Sequence, residues 1–199
     1  MKRLWLLAVV LLGMLGVGCA PPWTVIKQAE PNPFIGKNDF VVLPVEYEGL
    51  MVGTKTEEEY LAEKKDKKVE LFERDKGDVE DLFTTNLQAE AKDDGITVKS
   101  GGEVTGYAIR PLVKMMEPGF FAAVVSKPSQ IIMRVRIEDK DGKVLDEIEI
   151  EHETTTKTIG GGLVKIPVGD VSANDRWRSD AKALGKYAAL YLIHRVTGD

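Results

Sequence analysis

The chain has 199 residues, 43 % hydrophobic and 30 % charged, which excludes both a disordered polar chain and a multi-span membrane bundle and fits one packed domain. Its formal charge is −5, from 27 basic and 32 acidic residues, so the charge balance offers no reason to recruit nucleic acid or anionic headgroups. A single cysteine excludes an internal disulfide, and stability has to come from packing.

The first stretch is an address. Lys2 and Arg3 form a cationic head, Leu4 to Leu15 an apolar run of 12 residues, and Gly16, Val17 and Gly18 a small-residue approach to Cys19. That is the pattern of a secretory signal over 1–18, and its apolar run falls short of the roughly 20 residues that span a bilayer. Leu15-Gly16-Val17-Gly18-Cys19 resembles the lipobox of bacterial lipoprotein precursors, with Gly16 where leucine is usual. The resemblance implies cleavage before Cys19 and lipidation of that residue with acyl chains such as palmitate. Ala20, where inner-membrane proteins more often carry aspartate, implies the outer membrane, facing the periplasm. Loss of Lys2 and Arg3 leaves 25 basic against 32 acidic residues, a charge of −7, so membrane contact is expected through the lipid on Cys19.

Residues 19–38 read as lipidated cysteine and tether, extended by Pro21, Pro22, Pro31 and Pro33. Trp23, Val25, Ile26, Phe34 and Ile35 predict that part of it packs on the domain, which occupies 39–199. Phe40 to Val45 is apolar on both parities, as in an inner strand covered on both faces, with Pro44 marking an edge or bulge. Thr56 and Glu59 form a capping box opening a charged helical insertion over 56–76. Gly77 is expected to break it, and Asp78 and Asp81 to restart a core helix through Val79, Leu82, Phe83 and Leu87, closed by Gly95.

Ile96 to Lys99 reads as a short strand, Gly101-Gly102 as a turn and Glu103 to Lys114 as another strand. Met115 to Pro128 is an apolar loop whose Met115, Met116, Phe120, Phe121, Val124 and Val125 are the candidate contacts for a partner or ligand. They are equally readable as strand ends covering the core. Ile131, Met133, Val135 and Ile137 then alternate with Arg134 and Arg136, Asp139 to Gly142 turns, and Val144, Ile148 and Ile150 alternate with Glu147, Glu149, Glu151 and Glu153. This is a hairpin with one dry and one wet face. Ile159 to Leu163 reads as a loop and Val164 to Pro167 as a small edge strand. Ser172 and Asp175 cap a last helix carrying Trp177, Ala181, Leu184, Tyr191 and Leu192, with Gly185 marking close packing against a strand.

Motifs for catalysis are sparse. His152 and His194 lie far apart, there is no Gly-x-Ser-x-Gly elbow, Gly160-Gly161-Gly162 lacks the Lys-Ser/Thr of a phosphate loop, and Asp139 to Gly142 is an incomplete calcium loop. The expectation is therefore no enzyme, no catalytic residues, no metal and no cofactor. The element order predicts an α+β fold: a single mixed or antiparallel sheet of about five strands, two main helices packed on it, and one charged helical insertion. Over Asp39 to Val196 it is similar to the small α/β domain of the curli-secretion lipoprotein, of lipoprotein activators of peptidoglycan synthases and of the TolB amino-terminal domain. That likeness is carried by Phe40-Val41-Val42-Leu43-Pro44, Asp94-Gly95-Ile96, Asp141-Gly142-Lys143-Val144-Leu145 and the closing helix. The resemblance implies a non-catalytic envelope lipoprotein presenting a periplasmic binding or assembly module to an envelope protein partner, with no nucleic acid involved. The alternative is a periplasmic carrier of a small apolar or lipid-like ligand held by the methionine and phenylalanine cluster. A third reading is a hydrolase with a dispersed site.

Overall fold

The alternation that predicts the hairpin builds the centre of the molecule, described here from a computed structural model over residues 20–121, 126–154 and 173–198. Strand β9 (Ser129–Asp139) and β10 (Val144–Thr154) pair antiparallel, and β6 (Tyr107–Glu117) pairs antiparallel with β9 on its other side. Asp139 closes the β9–β10 turn, its carboxylate accepting the amides of Asp141 and Lys143, with Gly142 at positive φ. The short strands β2 (Asp39–Val42) and β3 (Met51–Val52) lie in series, parallel to β6, and β5 (Thr97–Ser100) pairs with β2. With β1 (Trp23–Lys27) on β10 and β4 (Lys55–Thr56) on β3, the mixed sheet has eight strands, ordered β1-β10-β9-β6-β2-β5 along its main path.

Eight strands replace the expected five or so. The additional ones are short or weakly patterned: β3 and β4 have two residues each, too few for a period of two to show, and β1 comes from the segment read as tether. The expected loop from Met115 is also partly strand. Met115 to Glu117 end β6, and Phe120–Phe121 (β7) pairs with Ser126–Lys127 (β8) in a separate two-stranded ribbon. Strand β2 is buried on both parities as expected, Phe40, Val41 and Val42 all being covered, and it is an inner strand between β5 and β6. It stops before Pro44, which has no N–H for the ladder, and the chain rejoins β6 through the Glu46 amide on the Pro111 carbonyl.

Among the described residues three helices accompany the sheet, and the second departs from expectation. Helix α1 (Glu57–Ala62) opens with the predicted capping box: Thr56 accepts the Glu59 amide at 3.2 Å and Glu59 returns the bond to the Thr56 amide at 2.9 Å. After a break, α2 (Asp66–Asp93) runs uninterrupted through Gly77, which costs a helix only about 0.5–1 kcal/mol relative to alanine and leaves open space around its Cα. It ends as expected with Gly95 at φ +76°. Helix α3 (Ala173–Thr197) runs in the same direction as α2, bridged by Arg178–Asp78 and Lys186–Glu90. Gly185 is a close-approach glycine, but against α2 rather than a strand: a Cβ there would stand 2.4 Å from the Phe83 carbonyl oxygen. Both helices cover one face of the sheet, burying Phe83, Leu87, Met133, Ile148, Trp177 and Leu184.

The helix-free face carries the predicted charges. Arg134 faces Glu149 at 3.3 Å, Arg136 faces Glu147 at 3.3 Å, and Arg110 lies between Glu46 at 2.5 Å and Glu138 at 2.9 Å. Hydrogen bonds to Glu138 and then Glu46 raise the Arg110 pKa further above its ordinary value. Cross-strand pairs of this kind contribute about 0.2–1 kcal/mol each.

Candidate functional site

The register sets up two distinct ends of the sheet. Thr154 of β10 faces Ser129 of β9, and Glu117 of β6 faces Gln130, so these residues mark one end; Asp139 and the hairpin turn mark the other. The expected contact residues fall at the Thr154 end but do not form one cluster. Met116, with a fully buried side chain, belongs to the core and pairs with Val52. Met115 is half-buried beside Met51. Phe120 is 49 % exposed, pairing with Lys127 across the β7–β8 ribbon. Phe121 pairs with Ser126 through its backbone. Val124, Val125, Cys19, the glycine loop from Ile159, Val164 to Pro167 and Ser172 lie outside the described residues.

Beneath that ribbon lies a polar cluster that sequence reasoning missed. Asp180 of α3 is fully buried; one carboxylate oxygen accepts the Ser129 hydroxyl at 2.9 Å, and the other lies 2.8 Å from His152 Nδ1 and accepts the Thr154 hydroxyl at 2.5 Å. The carboxylate is the hub. The serine hydroxyl donates to Asp180 rather than to the imidazole and is itself fully buried, so it is closed to a substrate and has no histidine to activate it. Chemically the arrangement is a clamp joining α3 to the ends of β9 and β10. One turn earlier, Arg176 donates to the Pro118 carbonyl at 2.5 Å and Trp177 Nε1 to the Glu117 carbonyl at 2.9 Å, holding the start of the ribbon on the helix. Burial lowers the Arg176 pKa, against the opposing charge of Asp180. The only sequence signal for the clamp is an aspartate three residues after Trp177 on the helix face that carries Trp177, Ala181 and Leu184.

At the Asp139 end a second buried carboxylate, Asp146, seizes the amino-terminal segment. It accepts the Ala29 amide at 2.8 Å, the Tyr191 hydroxyl at 2.6 Å and Arg195 Nε at 2.8 Å. Arg195 also donates to the Ala29 carbonyl at 2.9 Å, Asn32 donates to the Arg195 carbonyl at 2.8 Å, and the Gly36 amide bonds the Val196 carbonyl. Phe34 is fully buried against Phe40 and Tyr107, and Trp23 meets the Tyr191 ring edge-on at 5.6 Å. Residues 23–36 are thus a strap built into the domain. The prediction that part of the segment packs holds for Trp23 and Phe34, while Val25, Ile26 and Ile35 stay exposed.

No helix among the described residues is long and apolar enough to cross a membrane, and no group of three metal-ligating side chains occurs among them. No family model matches the chain, and no curated protein matches it. Among solved structures, a PelC dodecamer from Paraburkholderia phytofirmans matches with a TM-score of 0.44 at 10 % identity, over 82 % of this chain and 97 % of that one. A point variant of the same PelC matches with a TM-score of 0.44 at 12 % identity, over 84 % of this chain and 97 % of the other. Overlays at this level carry no functional conclusion.

Proposed function

We propose that the chain is a non-catalytic lipoprotein of the bacterial envelope, anchored through acyl groups on Cys19 at the outer membrane and presenting its α+β domain to the periplasm as a binding or assembly module. The observation that carries this reading is the strap. The chain passes from position 19 into the sheet edge within four residues and is locked there by Asp146 and Arg195, so an anchor at Cys19 holds the whole domain, not a loose leader. The protein partner is assigned to the exposed charged residues of the stretch 56–76 around Lys67; α1 buries no residue, while Phe72 of the same stretch is in the core and Tyr60 and Leu61 pack on it. The carrier alternative is weaker because Met116, half of its methionine pair, is consumed by the core.

The test compares wild-type protein with Cys19→Ser by intact mass and membrane fractionation. The expected wild type lacks 1–18, carries acyl mass and sediments with outer membrane, and the variant does neither. Identical mass and fractionation would remove the anchor. Photo-cross-linking from Lys67 tests the module: no adduct with an envelope protein in cells would remove the assembly role.

A further inference from the structure

Resting on that lipidation reading, we infer that the Thr154 end of the sheet faces the bilayer and that Phe120 makes a second, side-chain contact with the phospholipid surface. The argument starts from where the described chain begins. Strand β1 runs antiparallel to β10 with Trp23 opposite Ile150 and Lys27 opposite Glu147, so the chain preceding Trp23 runs toward Thr154. Ala20, Pro21 and Pro22 are all that separate Trp23 from Cys19, a reach of about 14 Å when fully extended. Beyond Trp23 no slack remains. The strap is held by the Ala29 amide on Asp146, the Ala29 carbonyl on Arg195, and Gly36 on Val196, so the domain cannot swing out along residues 23–36 without breaking buried bonds. An acylated Cys19 therefore holds the Thr154 end within about 14 Å of the hydrocarbon, about two headgroup layers.

Phe120 is at that same end. It follows Glu117 of β6 by three residues, and the start of its ribbon is pinned to α3 by Arg176 and Trp177. Phe120 lies across the sheet from the anchor, since β6 is three strands from β1, about 14 Å, but on the same end, so a half-exposed phenylalanine there is placed to meet lipid. The opposite end carries the charged turn, with Lys140 paired to Asp141 at 2.8 Å and both exposed, and the exposed Ile35 of the strap, so the direction in which the chain leaves β1, not apolar exposure, decides which end faces lipid. Glu151 and Glu153, exposed near the Thr154 end, limit the contact to the interfacial zone instead of deep insertion. Glu117 does not add to that cost, because Lys127 neutralises it. Two attachments, the acyl group and the aromatic side chain, fix an orientation that a single anchor would leave free.

The experiment uses the matured, acylated full chain in phosphatidylethanolamine and phosphatidylglycerol vesicles. Its native thiol is consumed by lipid, so one introduced cysteine takes a single environment-sensitive fluorophore, in Phe120→Cys, in Lys127→Cys with Phe120 intact, or in Asp141→Cys. Lipids carrying a nitroxide near the headgroup are the quencher. The expected result is about a twofold loss of emission at positions 120 and 127 and none at 141, as for a group at the headgroup boundary. Acylated, vesicle-bound protein with no quenching at 120 and 127, or equal quenching at 141, overturns the orientation while leaving the lipoprotein reading intact. Protein without acyl mass that fails to bind vesicles removes both.

Discussion

Asp146 and Asp180 are both fully buried and both tie α3 to β10, yet they are satisfied by different chemistry. Asp146 faces a guanidinium, Arg195, which is itself only 5 % exposed, together with a phenol and a backbone amide. Asp180 has two hydroxyls and an imidazole that is 27 % exposed. The first is a buried ion pair, with only the exposed Glu30 at 3.9 Å from Arg195 as a further charge, and it also holds a segment more than a hundred residues away in sequence. The second is a clamp of short polar groups, in which any one donor can be lost while the others remain. The end that secures the strap is thus the more brittle, and the end proposed to lie against the membrane is the more tolerant.

Breaking the ion pair has the largest expected effect. Asp146→Ala leaves the buried Arg195 with only the exposed Glu30, at 3.9 Å, as a charge partner and should cost roughly 3 kcal/mol. Urea unfolding measures the loss, and hydrogen exchange at the Ala29 amide should rise as the strap releases. Asp180→Asn keeps the shape of the clamp but removes a charged acceptor facing three donors, for a cost of about 2 kcal/mol. Equal or reversed losses in the two variants would sink the proposed contrast.

Tyr191→Phe probes one bond of the Asp146 cluster, with an expected cost of about 1.5 kcal/mol at neutral pH. Burial, and then the hydrogen bond to Asp146, raises the Tyr191 pKa above its ordinary value of 10.0. A phenol raised on folding contributes stability that is complete below the unfolded pKa and is lost above it, so the wild type should weaken as pH climbs past about 10. Tyr47, raised mainly by burial, keeps part of that alkaline loss in both proteins. The variant should show a shallower decline in denaturant midpoint between pH 9 and pH 11, values of about that range being set by the phenol reference. A decline as steep as wild type would mean that Tyr191 does not carry the raised pKa that its burial and its bond to Asp146 imply. The smallest effect serves as the baseline: Gly77→Ala touches neither cluster, adds a Cβ into open space, and should raise stability by about 0.5–1 kcal/mol. A loss at that position, read as a lower melting temperature, would show that α2 does not run straight through it.

The two glycines show how much the sequence could and could not convey. Both stand inside long helices, yet Gly77 tolerates a side chain and Gly185 excludes one, because α2 passes beside only the latter. A pattern of single residues cannot distinguish them, since the deciding atom, the Phe83 carbonyl, is about a hundred positions away. Asp146 and Asp180 were hidden for the same reason. Among 32 acidic residues a carboxylate reads as solvated unless its partner is known, and Arg195 and Ser129 lie 49 and 51 residues distant. The apolar neighbourhood of Phe120 is legible in the sequence, but its separation from the buried Met116 depends on where β6 ends.

Period and local chemistry alone determined the β9–β10 hairpin with its dry and charged faces, the capping box at Thr56, the glycine stop at Gly95 and the covered strand at Phe40. Each is a matter of neighbours within a few residues, where side-chain direction and backbone preference act directly. The tertiary structure decided the strap, the two buried carboxylates, the α2–α3 contact and the short strands β1, β3 and β4. These arise only when distant segments meet, because the free energy of a buried polar group or a close backbone approach depends on what lies across from it.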